Sequence, residues 1–124
     1  FVDCPCCGFG DLKTIYSKFI IAYILVNAGI MTAYSIVRID VHDPEEYGKY
    51  ASIATRAIEE YGGKFLVRGG KYHHIEGSSK ERNVIIQWPD VETAKKFYYS
   101  DLYQEALSYG IPAATRDYII VEGV

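Results

Sequence analysis

Gly62-Gly63 and Gly69-Gly70 bracket the five residues Lys64-Phe65-Leu66-Val67-Arg68. A glycine pair lets the backbone take φ > 0 or pass close to another segment. The segment between the pairs reads as a short strand with an arginine among apolar residues. Burying such an arginine is costly unless an anion or a hydrogen-bonding group meets it. The glycine pairs therefore set a strand boundary and pose a chemical question together.

The elements on either side follow from periodicity. Thr32 to His42 alternates, with Val37, Ile39 and Val41 against Ile36, Arg38 and Asp40, which predicts a strand. Asp43-Pro44-Glu45-Glu46 is a helix start, with Asp43 as N-cap and Pro44 in the first turn. Tyr47, Tyr50, Ala51, Ala54, Ile58 and Tyr61 then recur at helical spacing until Gly62-Gly63. After Lys64–Arg68, Gly69-Gly70 is expected to kink or bulge the strand before Tyr72–Ile75 continue it. Asn83–Trp88 is a further strand, stopped by Pro89. Asp90 caps a helix from Val91 to about Tyr99, and Ser100-Asp101 restarts a shorter piece that Gly110-Ile111-Pro112 breaks. Tyr118–Val121 is the last strand. The order βαββαβ predicts an α+β, ferredoxin-like antiparallel sheet with its helices on one face. The opposite face also carries apolar residues, and a second copy of the chain is its simplest cover, giving a homodimer.

Met31 divides the chain. Cys4, Cys6 and Cys7 all precede it, with no second pair or histidines at zinc spacing, so no metal site is expected. The apolar run Phe19–Ile30 is about a dozen residues, short of the roughly 20 a spanning helix needs. Residues 1–30 read as leader, upstream-translated or otherwise non-native sequence, with export or anchoring as the alternative. Residues 31–124 form the domain. A net charge of −3 without a basic cluster argues against nucleic acid. A cytoplasmic protein that does not engage a membrane is expected. Tyrosine is over-used, at 12 of 124 residues. It fits amphipathic packing or a cavity holding several hydroxyls.

Taken together, Ala33-Tyr34, Asp43-Pro44-Glu45, Tyr61-Gly62-Gly63 through Gly70, Glu76-Gly77, Trp88-Pro89, Tyr103-Gln104 and the ending Ile120-Val121-Glu122-Gly123-Val124 resemble the uncharacterised bacterial family called domain of unknown function 1330. The resemblance implies a dimeric α/β barrel, in which two sheets pack face to face. That architecture also serves monooxygenases and isomerases, so it does not select a reaction. The chain departs from the family at Gln87, where glutamate is common, and at Gly110, where arginine is common.

Strand alternation sorts the polar candidates. Arg38 and Asp40 fall with Tyr34 and Ile36, Arg68 with Leu66, Gln87 with Ile85, and Glu122 with Tyr118 and Ile120. Val37, Ile39, Val67, Val84, Ile86, Ile119 and Val121 are assigned to the helix side. The first set is expected to line a pocket between subunits, with Arg38, Asp40, Arg68, Gln87, Tyr118 and Glu122 contacting a small-molecule ligand. Two arginines suit a carboxylate or enolate. The plainer alternative is a pair of ion pairs, Arg38–Asp40 and Arg68–Glu122. His73, adjacent to His74, is the candidate catalytic base. No glycine-rich phosphate loop or nucleophile motif is present, and no cofactor is expected. Cofactor-free isomerase or monooxygenase chemistry and a non-catalytic dimeric binding module are both compatible with these residues.

Overall fold

The computed structural model describes residues 32–124, and the readings made for residues 1–30 lie outside them. Four strands and three helices follow in the order β1 (Ala33–Val41), α1 (Pro44–Glu60), β2 (Lys64–Arg68), β3 (Arg82–Trp88), α2 (Val91–Tyr98), α3 (Asp101–Ala113) and β4 (Ala114–Glu122). The sheet order is β2-β3-β1-β4, and every neighbouring pair is antiparallel. This is the expected ferredoxin-like α+β arrangement, with the helices on one face.

Each helix starts on a capping side chain. The Asp43 carboxylate accepts from the Glu46 N–H at 3.2 Å, that of Asp90 from the Thr93 N–H at 2.7 Å, and the Ser100 hydroxyl oxygen from the Tyr103 N–H at 3.2 Å. Each bond satisfies a backbone donor left open by the first helical turn. Helix α3 does not break at Gly110-Ile111-Pro112 but runs to Ala113. Pro112 is exposed on the last turn, where one missing N–H costs little. The Ala113 carbonyl then accepts from the His42 and Asp43 N–H groups and locks the β1–α1 corner.

The core lies between helices and sheet. Ala33, Val37 and Ile39 of β1 and Val84, Ile86 and Trp88 of β3 are buried there against Ala54, Ile58 and Leu107. Phe97 of α2 stacks between Trp88 (ring centroids 4.7 Å apart) and Tyr103 of α3 (4.4 Å). Ser35 is fully buried beneath this layer, and its hydroxyl oxygen accepts from the Trp88 indole N–H (2.8 Å) and the Tyr118 hydroxyl (2.9 Å).

Three expectations about the strands need correction. The bulge lies inside β2, not at Gly69-Gly70: Phe65 faces Ile86 but Val67 faces Ile85, so Leu66 is an extra residue. Tyr72–Ile75 do not continue the strand and lie in an exposed loop. In β4, Tyr118 pairs with Val37 and Ile120 with Ser35, both buried helix-side residues, while Ile119 and Val121 pair with Ile36 and Tyr34 on the open face. The assignment of Val67, Ile119 and Val121 to the helix side is therefore reversed, and their exposures are 38%, 54% and 42%.

Candidate functional site

The bulge decides where Arg68 goes. Were Leu66 paired as an ordinary strand residue, Arg68 would meet Asn83 on the open face. With Leu66 unpaired, Arg68 sits opposite Val84 on the helix side. Its guanidinium donates to Thr55 Oγ1 of α1 at 2.8 Å and lies 4.3 Å over the Phe65 ring. Arg82, the first residue of β3, faces the same side through its pairing with Ile39, and its guanidinium lies 5.9 Å from the Tyr47 ring centre. Gly69, with φ of +68°, leaves room for it: a Cβ there would run into the Arg82 guanidinium.

These two arginines lie at the walls of a cavity between α1 and the sheet. Val37, Ile39, Ala54, Ile58, Val84 and Ile86 make its apolar lining, and Tyr50, Tyr103 and Tyr118 add phenol groups. The space open to the centre of a water molecule is about 40 Å³. Arg116 of β4 reaches the phenols beside it. Its Nη2 donates to the hydroxyls of Tyr50 and Tyr103, each at 2.9 Å, and those two hydroxyls lie 2.8 Å apart and share a hydrogen bond. Its guanidinium also sits 4.9 Å from the Tyr50 ring centre.

The electrostatics follow from burial. It pushes the Tyr50 hydroxyl well above the ordinary phenol range, a trend reinforced by Tyr103 and opposed by Arg116. Tyr103 and Tyr118 are raised for the same primary reason. All three are neutral phenols near pH 7, so they serve as hydrogen-bonding groups and not as phenolate bases. Burial works against the Arg116 charge, but Tyr50 and Tyr103 outweigh it, and the net shift is upward. Among the described residues the salt bridges are Lys49–Glu46 and Lys80–Asp117, so no described carboxylate pairs with Arg68, Arg82 or Arg116. Among the described residues, the Nε atoms of Arg82 and Arg116 are buried without a partner.

The expected site residues are not brought together. Arg68 and Tyr118 line the cavity. Arg38 lies on the open face and donates to the Ser78 carbonyl at 2.6 Å, while Asp40 accepts the Glu81 N–H at 2.8 Å. Both thus hold the β2–β3 loop, and neither expected ion pair, Arg38–Asp40 or Arg68–Glu122, is formed. Gln87 pairs with Tyr34 on the open face, and Glu122 is exposed at the end of β4. His73 is exposed on the loop, in a separate surface depression with Arg38, His74 and Glu76. His42 bonds the Thr115 hydroxyl at 2.6 Å. Among the described residues no group of three or more metal-ligating side chains occurs, and no helix is long and apolar enough to cross a membrane.

Sequence reasoning gave no site role to Arg82 or Arg116, nor to Tyr50 or Tyr103. Both arginines lie just outside the expected strands. Their parity with Val84 and Ile86, and with Tyr118 and Ile120, was the available signal. Gly110, where the family resemblance implies arginine, lies against the Tyr50 ring: a Cβ there would be 2.5 Å from Tyr50 Cδ1. A guanidinium is present beside that ring all the same, supplied by Arg116.

Fold and cavity define a ferredoxin-like α+β domain with a small cavity between helix and sheet. Residues 32–124 match the family model described as "Domain of unknown function (DUF1330)", and the chain belongs to that family. No curated protein matches it. Among solved structures, it is similar to the RPA0582 protein of unknown function from Rhodopseudomonas palustris, with a TM-score of 0.65, 16% identity, and coverage of 93% of this chain and 95% of that one. It is also similar to a putative antibiotic biosynthesis monooxygenase from Caulobacter crescentus CB15, with a TM-score of 0.50, 11% identity, and coverage of 79% and 95%. At these identities the likeness concerns the fold alone.

Proposed function

We propose that the cavity binds a small organic anion, with its charged group between Arg68 and Arg82 and its apolar body against the sheet and α1. The observation that carries this reading is two guanidinium groups, neither paired with a described carboxylate, on one apolar cavity. Arg82 is half-buried and Arg68 is exposed; a half-buried charge is ordinarily compensated, and an anionic ligand held by both would supply the compensation. Arginine's planar fork suits a carboxylate or an enolate. Turnover of an enolisable ligand would use the neutral phenols to stabilise a developing oxyanion. Binding without turnover is the second reading, favoured by the place of His73 on the exposed loop, in a depression separate from the cavity.

The open face enters the same proposal as a homodimer contact. Ile36 pairs with Ile85 on one side and Ile119 on the other, and Val67 faces Ile85, making an apolar band across all four strands. A two-fold contact of this band with itself would cover it. The proposal includes a cytoplasmic place of action, which cell fractionation checks.

The test is a native mass spectrum of protein purified without added ligand, followed by calorimetric titration with small carboxylates. A dimer that binds carboxylates, and loses about tenfold or more in affinity in Arg68→Gln and Arg82→Gln, supports the reading, since hydrogen bonds to charged groups contribute about 1.5–3 kcal/mol. Unchanged affinity in both variants would remove the arginines from the site.

A further inference from the structure

We infer that Tyr50 and Tyr103, backed by Arg116, are the inner polar end of the ligand site and donate one hydrogen bond to a carbonyl oxygen, which makes the ligand class short aliphatic keto acids. The inference rests on the anion-binding reading for the outer end and adds a second, independent count of protons. Two hydroxyls carry two protons. The bond between them spends one. Arg116 donates to both oxygens and takes up neither proton. One O–H is left over, and neither tyrosine has another partner among the described residues. Both are nearly inaccessible, with exposures of 8% and 1%, and both line the cavity. A buried donor left unmet is costly, so this proton requires an acceptor inside the cavity.

The chemistry of the acceptor follows from what the cluster lacks. The phenol oxygens already accept from Arg116, so the inner end is a net donor. A ligand hydroxyl would bring its own proton into a wall of valines and isoleucines with nothing to receive it. A second carboxylate offers about four lone-pair sites to a single spare proton and would be left largely unpaired. A carbonyl matches one donor and brings no proton. The room between the apolar walls is small, which favours a slim chain.

The test is calorimetric titration of the full chain with levulinate and its longer oxo-acid homologues, each set against the hydroxy acid and the unsubstituted acid of equal length. The expected result is that, at the best length, the keto acid binds at least about tenfold tighter than both analogues. In Tyr50→Phe/Tyr103→Phe that ratio falls to near one. Keto and unsubstituted acids of equal affinity in the wild type would overturn the inference and leave the anion reading standing. A ratio that persists in a folded double variant would also overturn it. If no acid of any length binds, both fail together. Should the double variant not fold, the wild-type ratio alone still decides.

Discussion

Replacing Gly110 by alanine sets two effects of opposite sign against each other. Gly110 is a buried residue of α3, and alanine there should gain up to about 1 kcal/mol in helix propensity. Against this, the new methyl would lie 2.5 Å from Tyr50 Cδ1 and 2.9 Å from Cγ, well inside contact distance. The obstacle is a ring and not the end of a flexible chain. That ring is held by hydroxyl contacts to Tyr103 and Arg116, so it cannot retreat without breaking them. Overpacking costs about 1–3 kcal/mol, and one lost hydrogen bond adds about 0.5–1.5 kcal/mol. The net expectation is a destabilisation of about 1–3 kcal/mol, or a Tm lower by roughly 5–20 °C for a domain of this size. Thermal and urea unfolding measure it. An unchanged or raised Tm would refute the tight seating of Tyr50 on α3, and with it the geometry proposed for the inner end of the cavity.

Ser35→Ala should cost about 2–4 kcal/mol, because it strands the Trp88 indole N–H and the Tyr118 hydroxyl together; a loss below about 1 kcal/mol in urea unfolding would mean that these donors find other partners. The raised phenols of Tyr50, Tyr103 and Tyr118 make stability pH-dependent: the folded state holds these protons above the unfolded value of about 10. Their contribution is complete below that pH and is lost as pH rises through the folded values. The urea midpoint should fall above about pH 10, less steeply in Tyr118→Phe, and a flat alkaline profile would contradict the burial of these groups. Arg38→Ala should speed limited proteolysis within residues 70–81 while moving the global urea midpoint little, since its bond to Ser78 anchors only that loop; an unaltered cleavage rate would mean that the loop is held by other contacts.

The order of elements was legible in the sequence because each boundary has its own chemistry. Asp43, Asp90 and Ser100 are capping residues in the sequence and caps in the structure. β1 could be sorted by face because Arg38 and Asp40 alternate with Val37 and Ile39. β4 could not, because Tyr118-Ile119-Ile120-Val121 is apolar throughout and alternation gives no preference; only pairing with β1 settles it. The candidate site was less legible for a related reason. Arg68 was singled out, but its face depends on one unpaired residue, Leu66, that carries no turn or glycine signal. Arg116 lies two residues before the expected start of the last strand, and its partners Tyr50 and Tyr103 come from two different helices. No local pattern announces a cluster drawn from three separate elements.

The extra residue in β2 makes the charge on the cavity wall a matter of pairing register. In a strand, side chains alternate faces, so a slip that paired Leu66 with Ile85 as an ordinary strand residue would move Val67 to Val84 and Arg68 to Asn83 and exchange their directions. That slip would move a cation from the cavity to the open sheet face and a valine the other way, with no substitution at either position. At the edge of the sheet, where β2 has only β3 to satisfy, such a slip meets the least resistance. Keeping Leu66 out of the ladder therefore sets both what the cavity holds and how the open face is covered, whereas removing Leu66 altogether would leave Arg68 opposite Val84.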